Sequence, residues 1–187
     1  GESMQATHLT LEELESGLGR TGDSPRDSGL IELIVSRPAV DERVLLDSAE
    51  IDVADGLVGD SWKARGSKAT PDGSAHPEAQ ITLMNSRIAQ LITGDRALWQ
   101  WAGDQLYVDF DISAENLPPG QRIALGTVIL EVSAVPHTGC AKFTERFGHA
   151  AIQWVNSPVG RQARRRGVNT RVVQGGTIRR GDTITKI

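Results

Sequence analysis

Residues 122–135 read Arg122-Ile123-Ala124-Leu125-Gly126-Thr127-Val128-Ile129-Leu130-Glu131-Val132-Ser133-Ala134-Val135. Two short runs of β-favouring residues are separated here by a turn containing Gly126. Residues 128–133 partly alternate apolar and polar side chains, as in a strand with one wet face. Similar runs rich in Val, Ile and Leu recur at 30–35, 43–53, 80–84, 106–110, 168–173 and 183–187, several bounded by Gly, Asp or Pro. Many short strands at irregular spacing, without repeated helix–strand alternation, predict a mainly β fold. The expected architecture is a closed or nearly closed β-barrel with a few short peripheral helices.

Outward from these runs, helical signals are few. Asn85 and Asp95 are placed to cap helices over 86–92 and 96–102, and residues 149–156 and 159–165 make a helical pair interrupted by Pro158. Thr10 and Glu13 form a capping box for a short helix with Leu9, Leu11, Leu14 and Leu18 as its apolar stripe. Residues 1–29 read as an N-terminal appendage and linker, and 30–187 as one domain. The polar stretch 63–79 lacks periodicity and reads as a long loop, either a flap or a disordered segment. Trp99, Trp101 and Trp154 fall on helical segments and read as packing residues.

The 187 residues carry a net charge of −4, but unevenly. Residues 1–136 hold 10 Lys/Arg against 22 Asp/Glu, a balance of −12, whereas 137–187 hold 10 against 2, a balance of +8. The basic segment contains Arg161, Arg164, Arg165, Arg166 and Arg171. An overall acidic chain without aromatics interleaved among its arginines argues against nucleic acid as a partner. No apolar run is long enough to span a bilayer, so no membrane partner is expected. The absence of a signal-like N-terminal pattern makes the cytoplasm the expected compartment.

At the charge boundary stands Pro136-His137-Thr138-Gly139-Cys140-Ala141-Lys142-Phe143, with the chain's one cysteine. His137, Lys142 and Arg146 are cationic or potentially cationic neighbours, which favour a thiolate, the form that attacks electrophiles, carries sulfur and binds soft metals. A positive segment beside a thiol suits an anionic ligand such as a phosphate, a pterin phosphate or an oxyanion. Two readings stay open on these residues alone: a reactive thiolate, or a small inert hydrophobe. One cysteine excludes an internal disulfide and a four-cysteine zinc site. The four histidines lack zinc-ligand spacing. His137 is also too near Cys140 in sequence for the usual cysteine-protease pattern.

Taken in order, several segments resemble the MOSC domain family, named after the C-terminal domain of molybdenum-cofactor sulfurases. The cysteine segment with Arg146-Phe147-Gly148 is the strongest. Gly56-Leu57-Val58-Gly59-Asp60 resembles the family's early Gly-Asp turn, and Ser113-Ala114-Glu115-Asn116-Leu117 its Glu-Asn-Leu segment. Arg166-Gly167-Val168-Asn169 and Gly176-Thr177-Ile178-Arg179-Arg180-Gly181-Asp182 resemble its closing strands. Ser61-Trp62 stand where some members have histidines, and Ala114 where many have glycine.

The resemblance implies a barrel of the MOSC type that binds molybdenum or the molybdenum cofactor (molybdopterin). It implies that Cys140 carries sulfur as a persulfide or ligates the metal. The residues it marks for the cofactor are His137, Thr138, Lys142, Arg146, Arg166, Asn169 and Asn116. A sulfur donor such as a cysteine desulfurase is the implied partner. Two alternatives accompany this expectation: a molybdenum-dependent reductase of N-hydroxylated compounds served by an external redox partner, and a non-catalytic anion-binding or protein-interaction module with an inert Cys140. Whether the chain is an enzyme, as a sulfur transferase or an oxidoreductase, is left open at this point. The chain is too short for the desulfurase domain of the fused sulfurases, so no covalent pyridoxal phosphate is expected.

Overall fold

A computed structural model describes residues 6–187. Its strands are β1 (Ser28–Ser36), β2 (Val44–Leu46), β3 (Ser48–Asp52), β4 (Gly56–Leu57), β5 (Ile81–Asn85), β6 (Leu106–Asp109), β7 (Arg122–Leu125), β8 (Val128–Val132), β9 (Val168–Gln174), β10 (Gly176–Arg179) and β11 (Thr183–Lys186). Its α-helices are α1 (Leu11–Leu18), α2 (Trp62–Arg65), α3 (Ser86–Thr93), α4 (Ala141–Phe147), α5 (His149–Asn156) and α6 (Pro158–Gln162), with a 3-10 helix at Arg96–Ala102. No helix among the described residues is long and apolar enough to cross a membrane.

Seven strands pair in the order β11-β7-β8-β9-β5-β6-β1, and β1 returns to β11 through Ser28–Leu30. The sheet is therefore a closed barrel, with β2 added on the far half of β1. Closure satisfies the edge N–H and C=O groups that an open sheet leaves exposed. A second sheet, β10-β3-β4, contributes Ala49, Ile51, Leu57 and Ile178 to the barrel core. All neighbours are antiparallel except β5 and β6, which α3 and the 3-10 helix connect as a crossover.

The paired stretch 122–135 behaves as its pattern demands. Along β8 the side chains of Val128, Leu130 and Val132 are buried while Ile129 and Glu131 are half-buried. Glu131 bonds Arg122 and Arg171 across the neighbouring strands. Strand β1 departs from strict alternation because its register against β6 shifts between Ile31 and Leu33. The shift turns Ile31 and Ile34 into the barrel and Leu33 and Val35 outward, beneath the helices. Two apolar clusters result, one inside the barrel and one between its wall and the helices.

Several local expectations differ from the structure. The 43–53 run divides into β2 and β3, and a further helix, α4, forms directly after Cys140. The helical pair is broken at Ser157-Pro158 as expected, but Pro158 is itself the first residue of α6, which ends at Gln162, with Ser157 Oγ accepting from Gly160 N. The first three residues of the polar stretch, 63–65, belong to α2. The N-terminal segment is packed into the domain: Leu14 is fully buried in the outer cluster, and Trp154 Nε1 donates to Glu15 Oε1 at 2.7 Å.

Candidate functional site

Strand β8 delivers the cysteine segment. Beyond its end, Ser133 Oγ accepts from Val135 N, and Asn169 Nδ2 donates to the carbonyls of Val135 (3.1 Å) and Pro136 (3.3 Å). Gly139 N then donates to Asn156 Oδ1, and a side chain at Gly139 would run into Ile152. Cys140 sits at the N-cap of α4, its carbonyl accepting from Thr144 N and Oγ1. The backbone is thus tied down while the thiol is exposed, so Cys140 fills no packing role.

The thiol borders a cleft of about 580 Å³ lined by Arg37, Arg43, Arg65, Lys142, Arg146 and Arg166, with Asp41 as the one lining carboxylate among the described residues. His137, Thr138, Phe143 and Ser61 complete much of its wall. The volume is in the range of small-ligand sites, and the charge is strongly positive. Burial, and then the neighbouring Arg146 and Arg37 cations, push Arg43 down to about 10. Burial and Arg37 likewise lower Arg65. A larger, more open cavity of about 610 Å³ near α1 and α3, lined by residues including Arg20, Arg87 and Trp99, contains no cysteine or histidine.

Two buried ion pairs underlie the cleft. Arg37 forks onto Asp60, with Nη2–Oδ2 and backbone N–Oδ1 contacts of 2.8 Å, while Arg37 Nη1 donates to Gly103 O. Asp60 also accepts from Trp62 N. The Gly-Asp turn noted in the sequence therefore orients Arg37. Nearby, fully buried Asp104 accepts from Arg166 Nη1 at 2.5 Å and contacts His137 Nε2 at 2.6 Å. Burial opposes the Asp104 charge, but Arg166 and His137 outweigh it and hold the carboxyl well below its ordinary range. Burial is the larger influence on His137 and lowers its pKa, Asp104 offsetting only part. The imidazole is therefore neutral near neutral pH. Gly167, at φ +134, leaves room for the ring, since a Cβ there would lie 2.8 Å from His137 Cδ2.

Of the residues marked in the sequence, Cys140, His137, Thr138, Lys142, Arg146 and Arg166 converge on this cleft. Asn169 stands behind it and holds the approaching strand. Asn116 is elsewhere, its Nδ2 donating to Arg26 and Asp111 carbonyls and its Oδ1 accepting from Lys186. Most of the basic C-terminal segment is used in other ways. Arg164 donates to three carbonyls, Arg165 packs over Trp154, and Arg171 pairs with Glu131. Arg37, Arg43 and Arg65 come instead from the acidic part of the chain. The Gly59-Asp60 turn was the one sequence feature pointing toward any of them.

Among the described residues, no group of three or more His, Cys, Asp or Glu is arranged to hold a metal ion. The family model of the MOSC domain matches residues 72–185. No curated protein matches the chain. Among solved structures, the YUAD protein from Bacillus subtilis is similar with a TM-score of 0.59 at 19% identity, over 87% of this chain and 97% of that one. YiiM from Escherichia coli is similar with a TM-score of 0.56 at 13% identity, over 84% of this chain and 69% of its own. At these identities the likeness concerns the fold.

Proposed function

The chain belongs to the MOSC domain family, and from that premise we propose that its cationic cleft binds the molybdenum cofactor through an anionic group, with Cys140 as the sulfur that reacts beside it. The observation that carries this reading is the exposed thiol on the rim of a cleft with six lining cations. The residues suit such a ligand. Arg43, Arg65 and Arg146 line the cleft with guanidinium groups suited to phosphate oxygens, while Arg37, forked onto Asp60, adds positive charge beneath them. Arg166 Nε is buried without a partner among the described residues.

Cys140 is the soft donor at this site, so a metal would arrive carrying most of its own ligands. When bound, the cofactor would supply a molybdenum centre with an affinity for sulfur. The chain's own chemistry is thiol chemistry. The Cys140 thiolate attacks the outer sulfur of a persulfide on a cysteine desulfurase. A new S–S bond forms at Cys140 as the donor's S–S bond breaks, and the donor cysteine leaves as a thiolate. A later nucleophile takes the outer sulfur and returns the Cys140 thiolate.

The test is mass spectrometry after incubation with a cysteine desulfurase and free cysteine, together with molybdenum and pterin analysis of protein from a cofactor-producing host. The wild type is expected to gain the mass of one sulfur atom, reversible by thiols, and Cys140→Ser none. Wild-type protein with no added sulfur, and no molybdenum or pterin, overturns the proposal.

A further inference from the structure

Asp41 places a negative charge in a cleft otherwise lined by cations. Its carboxylate accepts from Arg146 Nη2 at 2.6 Å and from Lys142 Nζ at 3.2 Å. The Lys142 hydrogen bond and charge, and then those of Arg146, hold Asp41 below its ordinary range despite some opposing desolvation.

Three observations distinguish this contact from the buried pairs below it. The side chains of Asp41 and Lys142 are 47% and 49% exposed, and exposed ion pairs contribute little net stability. Asp41 also has a φ of 58°, the left-handed region that Asp tolerates better than most residues. Finally, its cationic surroundings are anchored without it. Arg146 donates to Trp101 O at 3.1 Å and packs 5.2 Å over the Trp101 ring. Arg43 donates to Gln100 O and Glu42 O and packs over the same ring. Burial is the main cause of the lowered Arg43 pKa, and the Arg146 and Arg37 cations lower it further with Asp41 in place.

We propose that Asp41 is an internal stand-in for the ligand's anionic group: it fills the Lys142–Arg146 seat in the free protein and yields it to a phosphoryl group carrying at least two negative charges. This rests on the reading of the cleft as an anion site. A monoanionic carboxylate entering the seat exchanges one single charge for another and loses the freedom of a bound molecule as well. A phosphoryl group brings additional charge to Arg37, Arg43 and Arg65. Asp41 thereby selects polyanions over carboxylates.

The experiment measures pyrophosphate and acetate binding by titration calorimetry to wild type, Asp41→Asn, Asp41→Gly and Asp47→Asn. Asn and Gly both tolerate the left-handed backbone, so the two Asp41 variants guard against a folding artefact. Asp47 is 91% exposed and pairs with Arg180 outside the cleft, which makes its variant a control for net charge. Both Asp41 variants are expected to bind pyrophosphate at least about fivefold tighter, the effect of one unit charge at close range in a water-like medium. They are also expected to gain measurable acetate binding, while Asp47→Asn matches the wild type. Unchanged or weaker pyrophosphate binding in the Asp41 variants, or an equal gain in Asp47→Asn, overturns the stand-in role alone. Pyrophosphate binding that is absent in every protein, or unaffected by Arg146→Ala, overturns the anion cleft and the stand-in with it.

Discussion

His137 Nε2 stands 2.6 Å from Asp104 Oδ1. An ionised carboxylate only accepts, so the neutral imidazole carries its proton at Nε2 and keeps its lone pair at Nδ1. The ring that borders Cys140 in the cleft is thereby fixed in tautomer by a residue that lies outside the sequence motif.

The lowered pKa of His137 makes the fold acid-sensitive. Below the ordinary value of 6.5, down to the folded value, the unfolded chain binds a proton that the folded ring does not. Stability from this group is present above pH 6.5 and is lost as pH falls through the folded pKa. Asp104, Arg166 and Arg37 are the charged groups that influence the ring. Urea denaturation across this window should give a shallower pH slope for His137→Gln than for the wild type.

Removing the charge of Asp104 leaves Arg166 buried without its counter-ion. Asp104→Asn is expected to cost about 3–5 kcal/mol, as for a broken buried ion pair. Denaturant midpoints check the value. A cost close to zero would mean that Arg166 is compensated in another way.

Asn169 acts on the approach to the thiol and not on the cleft wall. Asn169→Ala frees the carbonyls of Val135 and Pro136 and should cost about 1–2 kcal/mol. Persulfide loading of Cys140 should slow while pyrophosphate affinity is unchanged. Equal losses in both assays would show that Asn169 also supports the anion site.

Helix α1 is expected to be part of the cooperative fold. Leu14 is fully buried, so Leu14→Ala should lower stability by about 2–5 kcal/mol in a single transition. A separate early transition would instead mark α1 as an appendage.

What could be read in the sequence was local. Thr10 with Glu13, Asn85 and Asp95 cap their helices as their spacing requires, because a cap involves residues two or three apart. The strand runs and barrel class followed from apolar patterning. Pairings such as β10 with β3 depend on partners more than a hundred residues distant, and no local pattern reports them. The same limit hid half of the cleft. The charge balance directed attention to 137–187, yet Arg164, Arg165 and Arg171 bind carbonyls, an aromatic ring and Glu131. The acidic half supplies Arg37, Arg43 and Arg65, together with the carboxylate of Asp41 that answers Lys142 and Arg146.

The seam between Ser28–Leu30 and Thr183–Thr185 ties the earliest strand to the last. During synthesis the barrel therefore stays open until residues 183–186 have been made, however early the other strands pair. Such long-range closure is slow compared with local helix formation. The Cys140 segment is therefore synthesised before the strand that closes the barrel.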